Sequence, residues 1–208
     1  MDCYGQARIL IDEAHAADPV RLGNGSAAEL LYADRMEHWV MRLIPDAPPV
    51  LRLAARCQHL ERWTVPRNRY PLDKAGYHAW RRFLYQQQAE RARALLSSAG
   101  VPEMEAAAVA KWVSKTGLKT DQGTQALEDA ACLVFLQSEI EAFAAEHADY
   151  PREKFVDILR KTWRKMSPKA HDLARGLDLP AGIAALVEEA VAGAPDGAAE
   201  VRERPLDQ

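Results

Sequence analysis

Apolar residues recur every three or four positions along almost the whole chain, and no segment shows the apolar–polar alternation of a half-buried strand. In the segment 50–63, for example, Val50, Leu53, Cys57 and Leu60 form an apolar stripe beside a polar one. Proline, glycine and capping residues divide the chain into segments of helical length. The pattern therefore predicts an all-α protein, a single compact bundle of about eight or nine helices.

The helix boundaries are predicted from capping residues and helix breakers. Ser26, followed three residues later by Glu29, has the form of a capping box that opens a helix. Pro48 and Pro49 open the next helix, which we expect to include His59. Three later helices are expected to start at the capping residues Asp73, Asp121 or Thr124, and Ser167.

The length and composition of the chain are those of an ordinary globular protein. It has 208 residues, of which 48% are hydrophobic and 27% charged, and this is enough to bury a sizeable core. Residues 1–192 are predicted to form one domain. Residues 193–208 are acidic and rich in glycine and alanine, so we expect them to form a disordered tail.

The charge of the chain is unevenly distributed. Its net charge of −3 argues against a dedicated nucleic-acid-binding protein. Residues 51–93, however, contain ten lysines and arginines against three acidic residues, whereas residues 177–208 contain seven acidic residues against two arginines. A basic segment of this size favours binding of a small anionic or phosphorylated ligand.

The sequence also bears on redox state and location. Three cysteines at unrelated spacings are expected to be reduced residues of a cytoplasmic protein. The N-terminal segment lacks the pattern of a signal peptide. The longest apolar run, residues 130–136, is too short to cross a bilayer, so no membrane association is predicted.

The first candidate site residue is His59. Arg52, Arg56, His59 and Trp63 are spaced so that they would lie along one side of a continuous helix. A histidine flanked by guanidinium groups suggests a site for something anionic, whereas solvated helix faces are the simpler explanation for any single arginine. The spacing alone does not identify the ligand.

The second candidate is Asp129, within a helix expected to run from about Thr124 to His147. It shares a stripe with Cys132 and Leu133, so its carboxylate is expected to be buried or half-buried. Burial of an unpaired carboxylate costs several kcal/mol, so it requires a cation, a metal ion or several hydrogen-bond donors. A buried pair with one of the arginines is the structural alternative to a functional site.

Four segments of the chain resemble a known family. They are ELLYADRM, LRLAARCQHLERWTVPRNRYPLDKAGYHAWR, LEDAACLVFL and ILRKTWRKMS, and they resemble the blocks of domain of unknown function 4202 over roughly residues 8–175. That family looks like a divergent branch of the HD-domain superfamily. The resemblance implies an HD-domain-like all-α bundle in which histidines and aspartates bind a divalent metal that helps to hydrolyse phosphate esters.

The resemblance also implies which residues would bind the metal. His59 matches the first metal histidine and Asp129 the closing aspartate. Gln88 stands where family members have a histidine, and its neutral amide is a poorer ligand for transition metals. Glu128 or Glu90 would then complete a site for Mn²⁺, Mg²⁺, Zn²⁺ or iron, unless this chain has lost the metal and keeps only an anion pocket.

The expected function follows from these assignments. Arg56, Arg62, Lys161 and Lys165 would hold the phosphate oxygens during catalysis. The chain is therefore predicted to be a divergent metal-dependent phosphohydrolase that acts on a small phosphorylated metabolite or nucleotide. The alternative is a non-catalytic HD-like module that binds an anionic ligand or a protein partner, with its metal site degraded at Gln88.

Overall fold

The computed structural model describes residues 2–192, and this part of the chain is helical without any β-strand. The predicted tail, residues 193–208, lies outside the described residues. Ten α-helices are present: α1 (Cys3–Ala16), α2 (Ala28–Leu43), α3 (Pro49–Arg56), α4 (Lys74–Ser98), α5 (Glu103–Val113), α6 (Gln122–Val134), α7 (Ile140–Glu146), α8 (Arg152–Lys165), α9 (Pro168–Arg175) and α10 (Ala181–Ala192). Two 3₁₀ turns (Arg62–Thr64 and Arg67–Arg69) and one π turn (Phe135–Glu139) complete the fold. The prediction of an all-α bundle is confirmed.

Helix α6 lies at the centre of the bundle. It packs against α2, α3, α5, α8 and α9, and ten of its thirteen residues are buried. Leu127 and Leu133 are completely buried within the hydrophobic core. Each such side chain contributes roughly 1.5–3 kcal/mol when it leaves water, so the apolar stripe of α6 holds the surrounding helices together.

Three of the predicted helix starts are confirmed by side-chain caps. The carboxylate of Asp73 accepts a hydrogen bond from the Gly76 backbone N–H at the start of α4. Asp121 caps α6 and Ser167 caps α9 in the same way. Caps of this kind depend on residues three positions apart, and for this reason they are readable from the sequence.

The predicted capping box at Ser26 is wrong. Helix α2 begins at Ala28 and its N-cap residue is Ala27, which has no capping side chain. The backbone N–H of Glu29 instead donates to the Asp18 carboxylate, 3.0 Å away. Because Asp18 takes over the capping role from a distant position, the Glu29 side chain is free to make other contacts.

The helix that begins at Pro49 is shorter than predicted. It ends at Arg56, and the backbone adopts the left-handed conformation at His59 (φ +60°) and Glu61 (φ +52°). Side chains other than glycine pay roughly 1–2 kcal/mol for this conformation, so tertiary contacts must hold it. The expected stripe of Arg52, Arg56, His59 and Trp63 along one helix does not form.

The predicted helix from Thr124 to His147 is also interrupted. Helix α6 ends at Val134, and the π turn separates it from α7. A π turn contains one extra residue relative to an α-helical turn, and such turns occur frequently at functional sites. Here it directs both Phe135 and Glu139 toward a cleft that helices α4, α6 and α8 border.

A small satellite core fixes the loop before α4. Val65, Trp80 and Leu84 are buried together, and the Trp80 indole N–H donates to the Val65 carbonyl oxygen, 2.8 Å away. A Cβ atom at Gly76 would lie 2.1 Å from the carbonyl oxygen of Pro71, so the loop and the start of α4 are in direct backbone contact. This contact positions the loop residue Arg67 at the rim of the cleft.

Two further expectations concern the cysteines and the membrane. Cys3, Cys57 and Cys132 are free thiols, as predicted. Among the helices of residues 2–192, none is both long enough and apolar enough to span a bilayer.

Candidate anion-binding cleft

A cleft of about 1270 Å³ is bounded by the loop after α3 and by helices α4, α6, α7 and α8. Nine lysine and arginine side chains line it, against three glutamates. The cations are Arg62, Arg67, Lys74, Arg81, Lys115, Lys154, Lys161, Arg164 and Lys165, and the glutamates are Glu128, Glu139 and Glu146. The cleft therefore has an excess of six positive charges, in a protein whose net charge is −3.

The cleft brings together six of the eight site residues predicted from the sequence. They are His59, Arg62, Gln88, Glu128, Lys161 and Lys165. Lys161 and Lys165 project from the last turns of α8, and Lys161 also pairs with Asp157 on the same helix, 2.5 Å away. The other two predicted residues, Arg56 and Asp129, do not line the cleft.

His59 is held at the inner end of the cleft by three side chains. Its ring stacks on Tyr32, with the centroids 4.0 Å apart and an interplanar angle of 10°. Its Nδ1 atom lies 3.3 Å from a carboxylate oxygen of Glu29, and Arg62 Nη1 lies 3.1 Å from its Nε2 atom. These contacts explain how the left-handed backbone at His59 is maintained.

The electrostatic surroundings keep the His59 imidazole neutral. Burial and then the nearby charges of Arg62 and Arg81 lower its pKa well below the usual range. Burial raises the pKa of Glu29 to about 7, although Arg62 opposes the shift. The pair therefore carries at most one negative charge, beside several permanent positive charges.

Glu128 fixes two of the lysines of the cleft. Its carboxylate lies 2.7 Å from the amine of Lys115 and 3.3 Å from that of Lys165. Burial alone would raise the pKa of Glu128, but the two lysines lower it to about 2. One glutamate thus holds two ammonium groups in place and leaves net positive charge at this point of the cleft.

Gln58 adds an unsatisfied donor to the same region. Its side chain lines the cleft, only 4% of the residue is exposed, and its Nε2 atom has no hydrogen-bond partner within residues 2–192. A buried amide donor without a partner costs about 1–3 kcal/mol. The Nε2 atom itself is closed off from the open volume of the cleft, so the fold bears this cost without offering the donor to a ligand.

The sequence did not identify Glu29, Tyr32, Gln58, Arg81 or Lys115 as site residues. Arg81 belongs to the basic segment 51–93, which is the one signal that points to it. Lys115 follows α5 in a left-handed conformation (φ +62°) that no local pattern reveals. Gln58 directly precedes His59 in the chain, whereas Glu29 and Tyr32 come close to His59 only through the packing of α2 against the loop after α3.

Arg56 is completely buried and has a structural role. Its guanidinium group donates to Asp12 on α1 and to Asp34 and Glu37 on α2, over distances of 2.7, 2.7 and 3.1 Å. These three carboxylates occupy the fork that would otherwise bind a phosphate. Arg56 therefore connects α3 to α1 and α2 at a position outside the cleft.

Asp129 is buried, as predicted, and its carboxylate has two hydrogen-bond donors. One oxygen accepts from the backbone N–H of Ser167 at 2.8 Å and from the side-chain amide of Gln125 at 2.9 Å. The same Gln125 amide donates to the Lys165 carbonyl oxygen at 2.8 Å. Hydrogen-bond donors thus satisfy this carboxylate, and the alternative of a buried pair with an arginine does not form within residues 2–192.

The four predicted metal ligands do not form a metal site in this fold. His59 faces Glu29 and Arg62, Glu128 binds two lysines, and Asp129 binds a backbone amide. Between residues 2 and 192, no group of three or more histidine, cysteine, aspartate or glutamate side chains is arranged to hold a metal ion. The donor set therefore does not fit the metal that the HD resemblance implies.

Comparison with known proteins defines the family of the chain. No curated protein and no solved structure matches it, so the HD-domain-like relationship stays a prediction. A family model described as Domain of unknown function (DUF4202) matches residues 5–187. Because this match covers most of the 208 residues, the chain belongs to the DUF4202 family.

Proposed function

We propose that this protein is a binding module for a small phosphorylated ligand, which occupies the cleft around His59. The observation that supports this proposal is the charge of the cleft, where nine cationic side chains face three glutamates. Mutual repulsion among the cations is relieved when an anion binds between them. The proposal requires no metal ion.

The inner end of the cleft is the best place for the phosphate group. The charges of Arg62, Arg81 and Lys115 all lower the pKa of His59, and the three cations line the cleft together with it. Guanidinium groups bind phosphate oxygens through paired hydrogen bonds.

Two other functions stay predictions. Metal-dependent hydrolysis of a phosphate ester follows from the HD resemblance, and elemental analysis of the purified protein is its direct test. Docking of a protein partner is the other, and no contact among the described residues favours it over a small ligand.

Calorimetric titration with inorganic pyrophosphate, in the presence of EDTA, tests the proposal. We expect saturable binding to the wild-type protein and at least tenfold weaker binding to Arg81→Gln. The reason is that loss of a charge-assisted hydrogen bond costs about 1.5–3 kcal/mol. Arg82→Gln is the matched control, because Arg82 is on the same helix but does not line the cleft.

Two results would contradict the proposal. One is the absence of saturable pyrophosphate binding to folded wild-type protein. The other is an equal loss of pyrophosphate affinity in Arg81→Gln and Arg82→Gln. That result would indicate a diffuse electrostatic attraction, to which the two charges contribute equally. Circular dichroism and the thermal midpoint of each variant would confirm that the fold is retained.

A further inference from the structure

Four aromatic side chains form one wall of the same cleft. This aromatic wall consists of Phe135 on the π turn, Phe143 on α7, and His147 and Tyr150 in the segment after α7. Phe135 and Phe143 are in edge-to-face contact, with centroids 5.6 Å apart. Phe143 and His147 are stacked at 4.3 Å, and His147 contacts Tyr150 at 4.6 Å. The wall is therefore one continuous row of rings.

The wall is not simply part of the hydrophobic core. Its four residues are each only partly buried, and they line a cleft that also holds the cations. The buried Phe155 packs behind the wall, 5.5 Å from Phe143, and supports it from the side of the protein interior. The Lys154 ammonium lies over the Tyr150 ring, 3.1 Å from its centroid, so the apolar surface offered to a ligand is that of Phe135, Phe143 and His147.

The size of the cleft is consistent with a ligand larger than a phosphate group. Sites for drug-sized ligands typically measure about 300–1,000 Å³, whereas this cleft measures about 1270 Å³. Inorganic phosphate or pyrophosphate at the inner end would leave the aromatic wall without a contact. A ligand that satisfies both parts must combine an anionic group with a flat apolar one.

We propose that the ligand is a nucleotide, with its phosphate near Arg62, Arg81 and Lys115 and its base against the aromatic wall. This inference rests on the proposed function, because it assigns the ligand class of the same cleft. Stacking of a base on an aromatic side chain is favourable for every base, since all bases have a π-face. The wall therefore recognises the presence of a base more strongly than its identity.

Titration with AMP and with ribose 5-phosphate tests the inference. The two ligands share the sugar and the phosphate and differ in the base alone. We expect AMP to bind the wild-type protein at least tenfold more tightly, equivalent to about 1.4 kcal/mol. Phe143→Leu should weaken AMP binding toward that of ribose 5-phosphate and leave ribose 5-phosphate binding unchanged.

Two further variants separate stacking from damage to the fold. Phe135→Leu removes a different ring of the wall and should also narrow the ratio between AMP and ribose 5-phosphate affinities. Phe83→Leu is the matched control, because Phe83 is exposed and does not line the cleft. It should leave the ratio as it is in the wild-type protein.

The outcomes distinguish this inference from the proposed function. Equal affinities for AMP and ribose 5-phosphate, or a ratio that neither wall variant changes, would overturn the nucleotide assignment while pyrophosphate binding still stood. If AMP, ribose 5-phosphate and pyrophosphate all fail to bind, the proposed function and this inference are both wrong. A preference for AMP that Phe143→Leu and Phe135→Leu abolish supports both.

Discussion

Glu29 and His59 form a carboxylate–imidazole pair whose protonation is set by its surroundings. The ring of His59 is stacked on Tyr32, and the side chain of Glu29 is 19% exposed. Removal from water raises the pKa of Glu29 from 4.5 to about 7. A carboxyl group with this pKa releases its proton close to neutral pH, so the charge of the inner cleft changes in that range.

The raised pKa of Glu29 predicts a pH-dependent stability. Between pH 4.5 and about 7 the folded protein retains a proton that the unfolded chain releases, so its stability falls as the pH rises. The size of this effect is roughly 3 kcal/mol. Glu29→Gln cannot ionise, so we expect it to match the wild type at pH 5 and to exceed it in stability at pH 8.

Urea unfolding at pH 5, 6, 7 and 8 measures this difference. The exposed Glu13 lies on α1, and Glu13→Gln controls for the change in net charge. A constant stability difference between Glu29→Gln and the wild type across the four pH values would contradict the prediction.

At the scale of elements, Asp129 ties α6 to the start of α9. Its carboxylate accepts from the Ser167 backbone N–H, and Gln125 connects the same point to the last residue of α8, Lys165. The three helices therefore meet at one buried carboxylate. This contact explains why an acidic residue lies in the apolar stripe of α6, and the explanation requires no bound ligand.

Asp129→Ala should destabilise the fold without changing the affinity of the cleft for its ligand. Hydrogen bonds to a charged group contribute about 1.5–3 kcal/mol, so we expect the free energy of unfolding to fall by roughly 2–4 kcal/mol. Pyrophosphate affinity should not change, because Asp129 does not line the cleft. Denaturant unfolding and calorimetry provide the two measurements.

Asp172→Ala is the control for this variant. Asp172 is an exposed residue on α9 that pairs with Arg175 on the same helix, and such pairs contribute little. Metal analysis of the wild type and Asp129→Ala adds a decisive comparison. If the wild-type protein binds nearly stoichiometric metal, and Asp129→Ala loses this metal without losing stability, Asp129 belongs to a metal site instead.

At the scale of the whole molecule, charge is separated between two places. The ion network of Arg56 with Asp12, Asp34 and Glu37 joins α1, α2 and α3, and Arg8 and Arg52 also pair with Glu37. This network contains equal numbers of positive and negative groups. The cleft, by contrast, has a large excess of positive charge, so of these two places the cleft is the one that favours an anion.

Arg56→Met should therefore lower stability without weakening anion binding. Removing one partner of a buried ion network costs about 3–5 kcal/mol when the other charges stay buried. Here Asp34 is largely exposed and Glu37 keeps two arginines, so we expect a loss of roughly 2–4 kcal/mol. The measurements are denaturant unfolding and pyrophosphate titration.

Arg52→Met is the matched control on the same helix. The Arg52 side chain is 40% exposed, and an exposed ion pair contributes roughly 1 kcal/mol or less. Equal stability losses in the two variants would contradict the role assigned to Arg56. A tenfold loss of pyrophosphate affinity in Arg56→Met, with the fold intact, would show that Arg56 contributes to the binding site.

The sequence by itself determined the helical class and most helix boundaries. Apolar spacing, and capping residues such as Asp73 and Asp121, act over three or four positions, so no distant contact is needed to read them. The basic character of the segment 51–93 was also visible from the sequence, and the segment includes four of the nine cations that line the cleft: Arg62, Arg67, Lys74 and Arg81.

The tertiary structure decided which of these charged groups share a site. His59 leaves the helix because Tyr32 and Glu29, about thirty residues earlier in the chain, hold its ring and so stabilise a left-handed backbone. Arg56 and Asp129 turn inward because groups distant in sequence satisfy them, namely carboxylates of α1 and α2 for Arg56 and the Ser167 backbone N–H for Asp129. The energy of a buried charge depends on neighbours that are distant in sequence, and for this reason the sequence predicted the helices but wrongly placed Arg56 and Asp129 in the site.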